Sequence, residues 1–218
     1  LYPDSSKKCK IRYLNMAEII ELFTRRRIRE IKYEHDFFPF QELEGKTILI
    51  SGGSGFIGTY INAVLFLLNK KVFKKKCRVI SLDNYITGFR KNFIFDVNDK
   101  NFTLLNHDVI KPIEITEKVD YIIHAAGIAS PVHYQKFPLE TLESATLGAM
   151  NLLELARKKK VKGFLLFSSS EIYGNPDPEF IPTPETYEGK VSSIGPRSCY
   201  DESKRLAETL AVLYYQLY

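Results

Sequence analysis

Tyr200 and Lys204 stand four residues apart in Tyr200-Asp201-Glu202-Ser203-Lys204, so on a helix they share one face. An ammonium beside a phenol favours the phenolate, which makes a base able to accept a hydroxyl proton near neutral pH. Upstream, Ser168, Ser169, Ser170 and Glu171 follow an apolar run and could surround a reacting group with hydroxyls and one carboxylate. Four glycines, Gly52, Gly53, Gly55 and Gly58, lie between another apolar run and a helical pattern. Glycine there lets a backbone approach a pyrophosphate, and the helix it opens offers unpaired N–H groups to the anion. Asp83 closes the next apolar run, where a carboxylate accepts hydrogen bonds from ribose hydroxyls and repels a 2′-phosphate, favouring NAD over NADP. Each feature also has a plainer reading: glycines for packing, Asp83 as a turn cap with Asn84, serines as turn formers, Tyr200 and Lys204 as chance spacing.

These residues need a scaffold that gathers them. Apolar, β-branched runs at 46–51, 78–83, 102–107, 119–125 and 162–168 alternate with helical patterns at 56–69, 138–160 and 198–217. Such alternation predicts an α/β fold, a Rossmann-type doubly wound parallel sheet with helices on both faces. Ligands of such sheets bind beyond the carboxyl ends of the strands. The glycine turn, Asp83, Asp108, residues 125–127 and the serine cluster all follow strands and fall there. The cofactor set is Gly52, Gly55, Phe56, Ile57, Gly58, Asp83, Asn84, Asp108, Val109, Ala125, Ala126 and Gly127, with Tyr200 and Lys204 at the catalytic end. Asp108 would meet the adenine, and the small residues 125–127 would admit a flat ring. Residues 45–218 form this domain; residues 1–44 read as an N-terminal helical extension, with an amphipathic pattern over 17–31.

Composition narrows the class. The chain has 218 residues, 31 basic against 26 acidic, for a net charge of +5. That balance is too even to indicate nucleic-acid binding, and runs such as Lys158-Lys159-Lys160 read as solvated helix ends. Three cysteines without metal-ligand spacing argue against a disulfide framework or a metal site. No apolar run reaches the roughly 18 residues of a membrane span. The expectation is a soluble, cytoplasmic protein without a resident metal.

Taken together, the glycine turn, Asp83, Asp108, Ala125-Ala126-Gly127, the serine cluster and the Tyr200/Lys204 pair resemble the extended short-chain dehydrogenases/reductases from Lys46 onward. Within them the chain is most similar to the UDP-glucuronate decarboxylases. That closer likeness rests on residues 82–92, Leu-Asp-Asn-Tyr-Ile-Thr-Gly-Phe-Arg-Lys-Asn, and 129–135, Ala-Ser-Pro-Val-His-Tyr-Gln. It rests further on 169–176, Ser-Ser-Glu-Ile-Tyr-Gly-Asn-Pro, and on the Ile-Gly-Pro-Arg-Ser-Cys-Tyr-Asp-Glu-Ser-Lys segment that begins at 194.

The resemblance implies Ser169 in place of the catalytic Thr/Ser, Tyr200 as base, Lys204 as its partner and Glu171 as the active-site glutamate. It also implies Ser130, His133, Tyr134, Ser170 and Arg197 beside the sugar nucleotide. The cofactor implied is NAD, the substrate UDP-glucuronate, the route a 4-keto intermediate, and the assembly a homodimer through the helices at 138–160 and 198–217. Two departures stand out. Ala145 occupies a position where the family has asparagine, and the family's C-terminal substrate domain is largely missing from this chain. The alternatives are a dTDP-glucose 4,6-dehydratase, which would have an aspartate where Ser170 stands; a UDP-sugar 4-epimerase; or a catalytically weak NAD-binding scaffold.

Overall fold

The computed structural model describes residues 40–218 apart from 90, 91 and 94, and the expected helix over 17–31 lies outside them. Five strands, β1 (Thr47–Ser51), β2 (Arg78–Asp83), β3 (Phe102–Asn106), β4 (Tyr121–His124) and β5 (Gly163–Leu166), form one sheet. Its order is β3-β2-β1-β4-β5, and every pairing is parallel. The chain runs outward from β1 to β3, then returns to build on the other side of β1. The adjacent ends of β1 and β4 are therefore the switch point where such sheets open a crevice.

The alternation within β1 explains the two layers. Ile48 and Ile50 face helix α1 (Phe56–Lys71) and pack with its Leu65 and Leu68. Leu49 faces the opposite side, against Leu152 and Leu155 of the long helix α3 (Pro138–Lys159). Each such side chain, fully buried, contributes about 1.5–3 kcal/mol relative to exposure. Helix α4 (Ser198–Leu217) lies alongside α3. Asp120 fastens the sheet centre, its Oδ2 accepting from the Thr47 N–H at 3.0 Å. At the far end of α1, Asn69 exchanges two 2.8 Å hydrogen bonds with the backbone of Cys77. Burial pushes that thiol up to about 11, which leaves it inert.

Helix ends account for two of the lysine runs. Lys70 and Lys71 close α1, and Arg157, Lys158 and Lys159 close α3, where cations complement the dipole. Phe40–Leu43 form a 3-10 turn whose Phe40 and Leu43 pack against the α1-side core. Between β4 and α3 lies a helix the hydrophobic pattern does not announce, α2 (Pro131–Lys136), with Pro131 in its first turn. Six residues are too few to display a period. Beside β4 and β5 the α1 face of the sheet leaves an apolar slot walled by Tyr60, Ile61, Val64, Ile123, Phe164 and Leu165. Among the described residues no helix is long and apolar enough to cross a membrane, and no cluster of metal-ligating side chains occurs.

Candidate active site

The crevice at the switch point is built first by the glycine turn. Gly52 has φ +70°, which favours glycine, and a Cβ there would lie 2.6 Å from the Ala126 Cα. Gly52 and Gly55 line the cleft together with Asp83, Asn84, Asp108 and Val109. Ala125, Ala126 and Gly127 form its opposite wall. Nine of the sequence-derived cofactor residues thus share one cavity. Phe56 and Ile57 do not line it, and the Phe56 side chain is 81% exposed. Gly58 is buried beneath the turn, where its missing Cβ leaves room for the Gly52 carbonyl. These three contribute through the start of α1, which no side chain caps.

Asp83 is both a cap and a candidate ligand-binding carboxylate. Its Oδ2 accepts from the Ser54 N–H and its Oδ1 from the Tyr85 N–H, each at 2.8 Å. A carboxylate has about four acceptor sites, so two such bonds leave capacity for ribose hydroxyls. Asn84 continues the rim, its amide donating to Asp108 Oδ2 at 3.0 Å.

At the far end of the cleft, Ile128 lines the wall and packs with Tyr134 and Tyr200. Tyr134 and Tyr200 stack with centroids 5.5 Å apart at 15°. Lys204 is buried; its Nζ donates to the Phe167 carbonyl at 2.8 Å and sits 5.7 Å from the centre of the Tyr200 ring. The same Nζ is 3.4 Å from where a Cβ on Gly127 would stand, which sets Lys204 beside the cleft wall. Burial lowers the Lys204 ammonium to about 8, so it remains mostly charged at neutral pH and is easily neutralised above it.

Ser169 caps the 3-10 turn Ser170–Tyr173, its Oγ accepting from the Glu171 N–H at 3.2 Å. The neighbouring Ser168 hydroxyl is buried without a partner. Glu171 forms an ion pair with Arg197, whose Nε also lies 3.5 Å from Asp201 Oδ2. Both partners are substantially exposed, so the pair adds little to stability. Of the residues expected beside the sugar, Tyr134 stacks under Tyr200, whereas Ser130, His133 and Ser170 are exposed. Ala145 is buried in α3.

One central residue escapes sequence reasoning. His124 ends β4 fully buried, with Nδ1 2.7 Å from Ser51 Oγ. Burial, then the Lys204 charge, pushes it down to about 3, so the ring is neutral. A histidine inside the apolar run Tyr121–His124 was the available signal. Glu140 and Ser144 also line the cleft without having carried any motif, and Thr87 does so from within the 82–92 segment without having been singled out.

Residues 48–218 match the model of the NAD dependent epimerase/dehydratase family. The chain belongs to that family. NAD is the cofactor of the family, and the parallel sheet with its crevice is this chain's version of the fold. UDP-glucuronic acid decarboxylase 1 of Danio rerio is 40% identical over 195 residues, covering 87% of this chain and 44% of the relative. UDP-glucuronic acid decarboxylase 5 of Arabidopsis thaliana is 44% identical over 169 residues, 78% of this chain and 46% of the relative. Among solved structures, Thermus thermophilus UDP-glucose 4-epimerase in complex with NAD superposes with a TM-score of 0.59 at 28% identity. That match covers 79% of this chain and 51% of that one. The chain therefore spans about half the length of the relatives it matches.

Proposed function

We propose that this chain carries the cofactor site and acid–base residues of a nucleotide-sugar decarboxylase that converts UDP-glucuronate to UDP-xylose through a 4-keto sugar. The observation that carries the reading is the meeting of Ser169, Glu171 and Arg197 at the end of β5 with Tyr200 and Lys204 beside the cleft. Relatives named as UDP-glucuronic acid decarboxylases at 40–44% identity support it.

The cleft fits NAD. Gly52 and Gly55 leave backbone rather than side chains toward a pyrophosphate, Asp83 retains acceptor capacity for the adenosine ribose, and Ala125–Gly127 present no bulk to a flat ring. When bound, NAD supplies reversible acceptance of the hydride at the sugar's C4. Tyr200 takes the C4 hydroxyl proton, and the Lys204 charge favours the phenolate. Ser169 hydrogen-bonds the same oxygen. A ketone at C4 lies β to the carboxylate and stabilises the carbanion as carbon dioxide leaves. Arg197 attracts the carboxylate, and Glu171 positions it and passes protons at that end of the site. The exposed Ser130, His133 and Ser170 hold the rest of the sugar nucleotide, whereas Tyr134, buried, backs the Tyr200 ring instead of meeting the sugar.

We infer also that the enzyme is a homodimer. Leu142, Leu147 and Met150 on α3 and Leu206, Val212 and Leu213 on α4 are exposed, more apolar surface than solvated helix faces carry.

The deciding experiment supplies carboxyl-labelled UDP-glucuronate and NAD to the full-length protein and follows labelled carbon dioxide in a single turnover. Release is expected, and Glu171→Gln should slow it by about two to three orders of magnitude, the size of a positioned acid–base group. A product that keeps its carboxylate would make the enzyme an epimerase. NAD binding without any product would favour the scaffold, the reading to which buried Ala145 lends weight.

A further inference from the structure

Beneath the glycine turn lies a buried polar cluster with no part in the chemistry above. Asn62, in α1 and 0% exposed, donates from Nδ2 to the Gly53 carbonyl at 3.1 Å and to Ser81 Oγ at 3.0 Å. The Thr59 hydroxyl donates to the same carbonyl at 3.4 Å. Ser81 comes from β2 and is equally buried. An amide between a helix and a sheet costs free energy unless it is fully bonded, and Asn62 Oδ1 has no partner. Packing alone would favour an apolar side chain here.

The geometry shows what the amide does. The Gly53 carbonyl and the Ser54 N–H belong to one planar peptide. Asn62 and Thr59 hold its oxygen, and its N–H donates to Asp83 Oδ2 at 2.8 Å. Hydrogen bonds accepted by a peptide oxygen polarise the unit and strengthen the bond its N–H donates. The turn has no room to slide, since a Cβ on Gly53 would lie 1.8 Å from Ser81 Oγ. The Gly53 N–H in turn donates to the Leu82 carbonyl at 3.0 Å, so the same residue is tied to β2 on both sides of its peptide planes.

We propose that Asn62 is a positioning residue for cofactor recognition: by fixing the Gly53–Ser54 peptide it aims the Asp83 carboxylate at the ribose and so sets discrimination between NAD and NADP. The inference rests on the assignment of Asp83 to the ribose.

The test titrates NADH and NADPH against the full-length protein by their own fluorescence and reads the ratio of the two dissociation constants. In Asn62→Leu the preference for NADH should fall about three- to tenfold, the size of one hydrogen bond's net contribution, mainly through weaker NADH binding. Ser81→Ala, which frees the amide to turn away, should shift the ratio in the same direction by a smaller factor, and it decides the matter if Asn62→Leu does not fold. Asp83→Asn should erase most of the preference. A lower melting temperature with an unchanged ratio in both the Asn62 and Ser81 variants, while Asp83→Asn does erase it, overturns the role of Asn62 alone. An unchanged ratio in Asp83→Asn removes the Asp83 assignment and this inference with it.

Discussion

Gly58→Ala tests whether the turn is held by close backbone approach. In an ordinary helix the substitution stabilises by about 1 kcal/mol, because alanine is the better helix former. Here the new Cβ would stand 2.1 Å from the Gly52 carbonyl oxygen and 2.8 Å from the Gly53 Cα. That is 0.9 Å inside the 3.0 Å limit that real Cβ contacts respect, and both neighbours are backbone. Something rigid must move, and overpacking of this kind costs about 1–3 kcal/mol or more. Because the clash is with backbone, the upper part of that range, about 2–3 kcal/mol, applies. Against the propensity gain of about 1 kcal/mol a net loss of about 1–2 kcal/mol is expected, which for a domain of this size lowers Tm by about 3–6 °C. Because Gly52 is itself packed against Ala125 and Ala126, its displacement opens the turn, and NADH affinity should fall at least about tenfold. Gly55→Ala is the comparison, its Cβ only 3.2 Å from the same oxygen, so a few tenths of an ångström suffice and the damage should be smaller. Differential scanning fluorimetry and NADH titration measure both effects. A Gly58→Ala protein with unchanged or higher Tm would refute the steric reasoning, as would a Gly55→Ala variant that suffers more.

Tyr200→Phe should abolish turnover while NADH affinity stays within about twofold, since phenylalanine keeps the stack on Tyr134 and removes only the group that takes the proton; near wild-type turnover would end the acid–base assignment. Lys204→Met should also be inactive, and its effect on stability depends on pH. Folding lowers the Lys204 pKa from 10.5 to about 8, so the buried charge destabilises the fold below 8, and this penalty fades as pH rises from 8 toward 10.5. In urea melts the wild type should therefore gain about 2 kcal/mol on Lys204→Met between pH 7.5 and 9.5, and a pH-independent gap would contradict it. For the assembly, light scattering of the full-length protein should give a dimer, and Leu206→Glu with Leu213→Glu should yield monomers that keep NADH binding. A wild-type monomer at micromolar concentration would remove the α3/α4 interface.

The sheet was legible because its strands read as apolar, β-branched runs, with β1 and β2 buried on both faces. All five expected strands are present, with ends that differ by up to two residues. Val119 and Asp120 are buried but precede β4, which begins at Tyr121, although the Asp120 backbone still bonds Thr47 on one side and Lys162 on the other. The cleft was legible for a different reason: glycines and carboxylates that follow the strands of one parallel sheet are gathered at a single edge, whatever packing or capping each also does. What could not be read is contact between distant residues. Glu171 and Arg197 are 26 positions apart and meet only where the start of α4 lies against the 3-10 turn after β5; Asn62 and Ser81 are 19 apart and meet only because α1 packs on the sheet. His124 hid in an apolar run because its burial is made tolerable by Ser51, 73 residues earlier.

The β5 margin has a practical consequence. Among the described residues β5 pairs on one side only, Leu165 is 53% exposed, and the slot beside it is walled by apolar side chains. An open strand of this sort recruits other strands in the native state, without prior unfolding. Two features blunt it: the strand is only four residues long, and Lys158, Lys159, Lys160 and Lys162 lead into it. Like charges at that approach repel a second molecule, but only over a Debye length of about 10 Å at 0.1 M salt. Salt that screens the lysines also strengthens apolar association when its anion is sulfate or phosphate. A fragment of residues 40–218 should thus clump as ionic strength rises, and a purification step that precipitates with sulfate would mistake an adhesive margin for poor folding.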